Sequence, residues 1–215
     1  MSLHFDVYWS FRSPYSYFAT QRLVQLEDAF DVICTPRIVY PIAVRDPGFF
    51  QRGDPLWETY FMKDIYRTAA FLGLPFRWPR PDPVVRDMKT RLYPREQPYI
   101  SRLSRLGVAA CERGRGLPFL DEVSRLIWSG ENDDWRPGLT GAAERAGLDL
   151  VEMDAAIKAA PDRYDAVIFA NQDAQRAAGH YGVPLMVFEK EPFFGQDRLE
   201  MLVWRMRQKG LAARG

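Results

Sequence analysis

From His4 to Trp9, Phe5, Val7 and Trp9 alternate with more polar partners, the period of two expected of a β-strand. Ser10 to Pro14 reads as a turn. A helix is predicted after it, with Ser13 as its N-cap and Pro14 at the first helical position, where a missing N–H costs nothing. Ala19, Leu23, Leu26 and Phe30 then recur at helical spacing on one face. Val32 to Val39 is a second predicted strand, with Val32, Cys34 and Ile38 on one side. A β-turn-α-β opening of this kind suits an α/β fold with a parallel strand pair.

Pro41 to Pro55, rich in Pro, Gly and Asp, is expected to be a loop. The apolar period is then helical as far as Tyr164. Phe61, Ile65, Ala69 and Leu72 mark one helix; Leu103, Leu106 and Ala110 mark another; Leu120, Val123 and Ile127 mark a third. A short helical pair begins near Leu139 and ends with Leu150, Met153 and Ile157. Six prolines between Gly73 and Pro98 predict a long loop there, pinned by Phe76 and Trp78. The α/β pattern then returns. Val167, Ala170, Ala174 and Ala177 predict the buried face of a helix that stops at Gly179. Leu185 to Phe188 is a strand, Glu189-Lys190-Glu191 a turn, and Pro192 to Phe194 a returning strand. Gly195-Gln196-Asp197 should cap a last helix with Leu199, Leu202, Val203 and Met206 on its apolar face. This is the thioredoxin order with helices in its middle: an α/β, thioredoxin-like domain at 1–55 and 165–215, and an all-helical insertion at 56–164.

Composition narrows the function classes. A formal net charge of +1 gives no basic footprint for nucleic acid. No apolar run approaches the ~18 residues of a membrane span, and the start lacks the basic-then-apolar order of a signal peptide. Two distant cysteines, Cys34 and Cys111, are too few for a disulfide framework or, with His4 and His180, for a metal cluster. They read as buried structural thiols, and a reducing cytoplasm is the expected compartment.

Three segments carry candidate chemistry. In a thioredoxin-like redox enzyme the strand-to-helix turn holds Cys-X-X-Cys, with the first thiolate stabilised by the helix N-terminus. Here Ser13 and Ser16 stand at both cysteine positions, so disulfide cycling is lost while the anion-stabilising geometry remains. Ser13 is either a plain N-cap or a hydrogen-bond donor to a thiolate brought by a ligand. Tyr181-Gly182-Val183-Pro184 joins a helix to a strand, where a cis proline would leave backbone groups for an extended, peptide-like ligand. Asp197, beside the last helix's N-terminus, is placed to meet the ammonium of an amino-acid end, or simply to cap.

Together, FRSPYSYFA, HYGVPLMVF and FFGQDRLEML resemble the 2-hydroxychromene-2-carboxylate isomerases. These are relatives of the kappa-class glutathione transferases within the DsbA-like thioredoxin superfamily. The resemblance extends over essentially the whole chain, including GLPFRWPRP and GLPFLDEVSRLIWSG. It implies a cytoplasmic isomerase that uses glutathione to rotate a double bond in a conjugated aromatic carboxylate, and it admits a homodimer. It also implies that Ser13 faces the glutathione sulfur, that Val183 before Pro184 pairs with the cysteinyl part, and that Gln196 and Asp197 meet the γ-glutamyl end. Family members often carry Gly-Asn and a lysine after the second strand; this chain offers only Lys63 as a stand-in, and Arg12 replaces a smaller residue. Arg12 is then a candidate for the substrate carboxylate, or a solvated surface arginine. Tyr15 and Tyr17 are candidates for an aromatic pocket, with core packing the other reading of Tyr17. A glutathione transferase with the same site and a non-catalytic binding protein of the same fold remain alternatives.

Overall fold

The computed structural model describes residues 2–87, 89–90 and 92–215. Four strands form one mixed sheet: β1 (Leu3–Trp9), β2 (Val32–Ile38), β3 (Leu185–Phe188) and β4 (Glu191–Phe194), in the order β2-β1-β3-β4. β1 and β2 are parallel, β3 runs antiparallel to β1, and β4 antiparallel to β3. Helix α1 (Pro14–Ala29) makes the crossover between the parallel strands. This is a thioredoxin-like sheet.

β1 departs from simple alternation. Phe5, Val7 and Trp9 are buried as predicted, but Tyr8 is buried too, against Val39 and Leu185. A central strand covered on both faces has no solvent side to spare. β2 is an edge strand, so Pro36 removes no ladder donor that the sheet needs. The β3–β4 hairpin turns on Glu189 and Lys190, both left-handed (φ 48° and 69°), the twist that a two-residue hairpin requires. Glu191 therefore belongs to β4 rather than to the turn.

Pro41–Pro55 holds more structure than expected, with short helices α2 (Ile42–Arg45) and α3 (Phe49–Arg52). Four residues are too few to show a helical period. Helix α4 (Pro55–Leu72) follows, capped by the Asp54 carboxylate. The described part of 73–97 contains no helix or strand, as expected. Helices α5 (Pro98–Glu112), α6 (Gly116–Trp128), α7 (Leu139–Arg145) and α8 (Leu150–Ala159) match the predicted periods.

Helix α9 (Pro161–Ala177) starts earlier than its apolar pattern suggested, so position 165 lies inside a helix. Its buried residues are Tyr164, Ile168 and Gln175, whereas Ala170, Ala174 and Ala177 are exposed. Alanine is cheap on either side of a helix, so an alanine repeat is a weak guide to which face is buried. The last helix, α10 (Leu199–Arg207), buries Leu199, Leu202 and Met206 as predicted.

One core runs from the sheet into the helices. Trp9, Phe11, Phe18 and Ile38 share a cluster with Leu103, Leu106, Phe119, Leu120 and Trp128. Gly107 permits this contact: a Cβ there would sit 2.9 Å from the Phe11 ring and 3.1 Å from Ile38. Any larger residue would push α5 off the sheet. On the same face, Phe5 and Val7 of β1 pack with Ala19, Leu23 and Leu26 of α1 and Leu202 and Met206 of α10, while the opposite face carries Tyr8 and Leu185. No helix among the described residues is long and apolar enough to cross a membrane.

Candidate active site

The site begins where β1 hands over to α1. Ser13 is extended (φ −108°, ψ 115°) and its Oγ accepts the Ser16 N–H at 3.2 Å, an N-cap as predicted. The Ser13 carbonyl accepts from the Tyr17 N–H and Pro14 has none to give, which leaves the Tyr15 N–H without a protein acceptor among the described residues. The Ser13 hydroxyl also donates to the Val183 carbonyl at 3.3 Å, across 170 positions of sequence. The Val183-Pro184 bond is cis. Ser13 is thus the cap that one of its two readings expected, and its hydroxyl also reaches the cis-proline arm. Ser16, at the second position, is fully buried and its hydroxyl has no partner among the described residues.

The arm is held from behind by residues that carry no motif. Gln175, fully buried, donates its amide to the Gly182 carbonyl at 2.7 Å and accepts from Arg45 Nη1 at 3.0 Å. Arg45 Nη2 donates to the Tyr181 carbonyl at 2.7 Å. The Gly182 N–H donates to His180 Nδ1 at 2.9 Å, so that nitrogen must be unprotonated. The His180 ring stacks on Phe194 at 3.8 Å, and burial lowers its pKa. A side chain at Gly182 would collide with the Phe194 ring. The Val183 carbonyl, expected to face a ligand, is engaged by Ser13 in this state; its N–H has no protein partner among the described residues.

The third segment is tied to the first two. The Gly195 N–H donates to the Pro184 carbonyl at 3.0 Å. Arg22 of α1 donates to both the backbone carbonyl and Oε1 of Gln196, each at 2.9 Å. Asp197 is solvent-facing and pairs with Arg198 at 2.7 Å. Gly195-Gln196-Asp197 does not cap α10 directly: a 3-10 turn (Gln196–Arg198) intervenes, and no side chain caps it.

The other candidates are placed as follows. Arg12 does not point a free cation at a ligand. It forms a bidentate pair with Asp82 (Nη2–Oδ2 2.7 Å) and lies 4.3 Å over the Trp78 ring. Asp82 is locked in turn by the Val84 N–H at 2.9 Å. A guanidinium so engaged has its charge answered within the protein. Tyr15 donates its phenol to Asp64 at 2.6 Å, and burial with this bond pushes its pKa up, so it is a neutral ring. Tyr17 is buried and donates to the Pro75 carbonyl, so it belongs to the core. Lys63 is exposed on α4, and no contact ties it to the Ser13–Val183 pair. Cys34 lies within β2 and Cys111 in the last turn of α5, its Sγ against Gly116 at the start of α6; burial raises both thiol pKa values, Cys111 to about 12.

An aromatic wall joins the two arms of the site. From Tyr15 it passes to Phe61 (5.8 Å), Trp57 (5.1 Å, stacked), Phe50 (5.7 Å), Phe49 (5.3 Å) and Tyr181 (5.7 Å). Phe50, Trp57 and Tyr181 are each roughly half exposed. Phe49 and Phe50 come from the short helix α3, which hides any periodic signal, while Trp57 and Phe61 come from α4. Chemically the site offers a hydroxyl and helix amides for an anion, backbone edges for a peptide, and ring faces for an aromatic body.

The family model of the DsbA-like thioredoxin domain matches residues 4–207. A 2-hydroxychromene-2-carboxylate isomerase of Pseudomonas putida is 25% identical over 205 residues, covering 92% of this chain and 91% of that one. Among solved structures, a 2-hydroxychromene-2-carboxylate isomerase superposes with a TM-score of 0.70 at 23% identity, over 96% of this chain and 95% of the other. The cytosolic disulfide reductase DsbM of Pseudomonas aeruginosa, solved with GSH, gives a TM-score of 0.62 at 17% identity, over 95% and 100%.

Proposed function

We propose that this chain, which belongs to the DsbA-like thioredoxin family, is a glutathione-dependent isomerase of a conjugated aromatic carboxylate of the 2-hydroxychromene or 2-oxo acid type. The observation that carries the reading is Ser13: a hydroxyl, not a thiol, stands at the helix N-terminus and reaches the carbonyl before the cis proline. The isomerase relative, similar along nine-tenths of both chains, supports the reaction class. The disulfide reductase of the same fold, solved with GSH, supports the choice of thiol.

Rotation about a carbon–carbon double bond is slow unless that bond is made single. Bound glutathione would supply a thiolate that adds reversibly to the electron-poor carbon, making the double bond single long enough to rotate before the same C–S bond breaks and the thiol is returned. Nothing is oxidised or reduced, so one borrowed thiol suffices and no protein cysteine is needed. Ser13 turns its hydroxyl from Val183 to the sulfur, and with the α1 amides favours the thiolate. The Val183 N–H and Gln196 and Asp197 serve the tripeptide's backbone and γ-glutamyl end, and the aromatic wall flanks the acceptor's approach to the thiol.

The test is calorimetry of glutathione binding to the wild type and Asp197→Ala, followed by incubation with conjugated aromatic 2-oxo acids. Binding that Asp197→Ala weakens, with an isomerised product and no loss of free glutathione, is the expected result. A product that keeps the glutathionyl group identifies a transferase instead, and no binding at millimolar glutathione ends the assignment.

A further inference from the structure

Beside the cis-proline arm, α2, α5 and α9 flank a half-open cavity of about 840 Å³. None of Ser13, Val183, Pro184 and Gln196 lines it. Its walls include the rings of Tyr40, Tyr93 and Phe169 and the guanidinium groups of Arg45, Arg95 and Arg176. Two further lining charges, Arg105 and Asp165, answer each other in a bidentate pair (2.8 and 2.6 Å), and the Tyr40 hydroxyl adds a bond to Asp165 at 2.7 Å. Three arginines then face one remaining carboxylate, Asp173. Among the described residues Arg95 and Arg176 have no carboxylate partner. The Arg45 Nε is buried and unpaired. Burial, and then the charge of Arg176, press the Arg45 pKa down to about 10. Positive charge gathered without its counter-charge is the signature of an anion site.

Size and lining narrow the anion. The volume lies within the range of roughly 300–1,000 Å³ typical of small-molecule pockets, far more than an inorganic ion fills. The rings suit a flat apolar body. The cavity also adjoins the reacting end: Arg45 holds the Tyr181 carbonyl, and two residues on the Val183 carbonyl meets Ser13. Two residues of chain span at most about 7 Å, so the Arg45 edge of the cavity lies close to the Ser13–Val183 pair.

We propose that this cavity is a binding site for a small aromatic carboxylate, with Arg95 and Arg176 on the carboxylate and Tyr40, Tyr93 and Phe169 around the body. That the occupant is the acceptor rests on the reading of Ser13 as the thiol site. Arg45 is a positioning residue, shared between the cavity and the arm.

The experiment is calorimetry with two unreactive probes, phenylpyruvate and its neutral counterpart phenylacetone, on the full chain without glutathione. The wild type should bind the carboxylate at least about tenfold more tightly, since charge-assisted bidentate bonds are roughly twice as strong as neutral ones. The double variant Arg95→Ala, Arg176→Ala should erase that difference and leave the glutathione Kd and the melting temperature unchanged; both arginines are exposed, so the fold is expected to survive. Equal binding of the two probes, or phenylpyruvate binding indifferent to the double variant, overturns the site. Charge-dependent phenylpyruvate binding in a protein that does not bind glutathione keeps the cavity and removes the functional reading; glutathione binding with a charge-blind cavity does the reverse.

Discussion

Replacing Ser13 by alanine removes two things that separate assays resolve. Its hydroxyl donates to Val183 at 3.3 Å and accepts from Ser16 at 3.2 Å, both long for hydroxyl bonds. Turning that donor to a thiolate exchanges a weak neutral bond for a charged one. A neutral bond contributes about 0.5–1.5 kcal/mol net and a charged one about 1.5–3. The difference, about 1–2 kcal/mol, corresponds to about one unit in the pKa of bound glutathione. Ser13→Ala should therefore raise that pKa by about one unit and lower kcat/KM about 5- to 30-fold at neutral pH. Loss of the cap should separately cost about 1 kcal/mol of stability, a fall of about 2–4 °C in Tm for a chain of this size. The thiolate's ultraviolet absorbance, followed against pH in the glutathione complex of each protein, reads the first effect, and thermal unfolding the second. If Tm falls while the bound thiol titrates identically in both proteins, Ser13 is a cap only.

Three other expectations follow from single contacts. Ser16→Ala deletes a fully buried hydroxyl that has no partner, so stability should rise by about 1 kcal/mol in a denaturant titration; a loss would mean the hydroxyl is satisfied in solution. Arg12→Met strands Asp82 beside Trp78 and should cost about 2–3 kcal/mol of stability while leaving the KM for the carboxylate acceptor unchanged. A large rise in that KM would return Arg12 to the substrate. The His180 pKa is lowered below its ordinary 6.5 in the fold, so the neutral ring's contribution is complete above that value. It should fade as pH drops below 6.5 toward the lowered value, when protonation of Nδ1 breaks the Gly182 bond. Denaturant midpoints between about pH 7 and 5 should fall for the wild type and less for His180→Asn, which keeps an acceptor but does not titrate; parallel curves would refute the role.

What the sequence determined by itself was whatever physical chemistry acts over a few neighbouring residues. Ser13 and Pro14 encode a helix start because cap and fixed φ act within one turn. The periods of α1, α4, α5, α6 and α10 encode their buried faces because a helix repeats every 3.6 residues. Two serines in place of two cysteines removed the Cys-X-X-Cys pair from the strand-to-helix turn. Where the period had no room to repeat, in α2 and α3, the pattern was silent; where it was written in alanines, in α9, it pointed to the wrong face. Only the tertiary structure decided which groups meet. It brought the Ser13 hydroxyl to Val183, paired Arg12 with Asp82, and set Gln175 and Arg45 behind the cis-proline arm. It also left Lys63 and Asp197 facing solvent, and gathered Arg95 and Arg176 around one cavity. The physical reason is that a polar side chain can satisfy itself with many partners, and the choice among them is made by the packing of elements far apart in the chain, which no local pattern records.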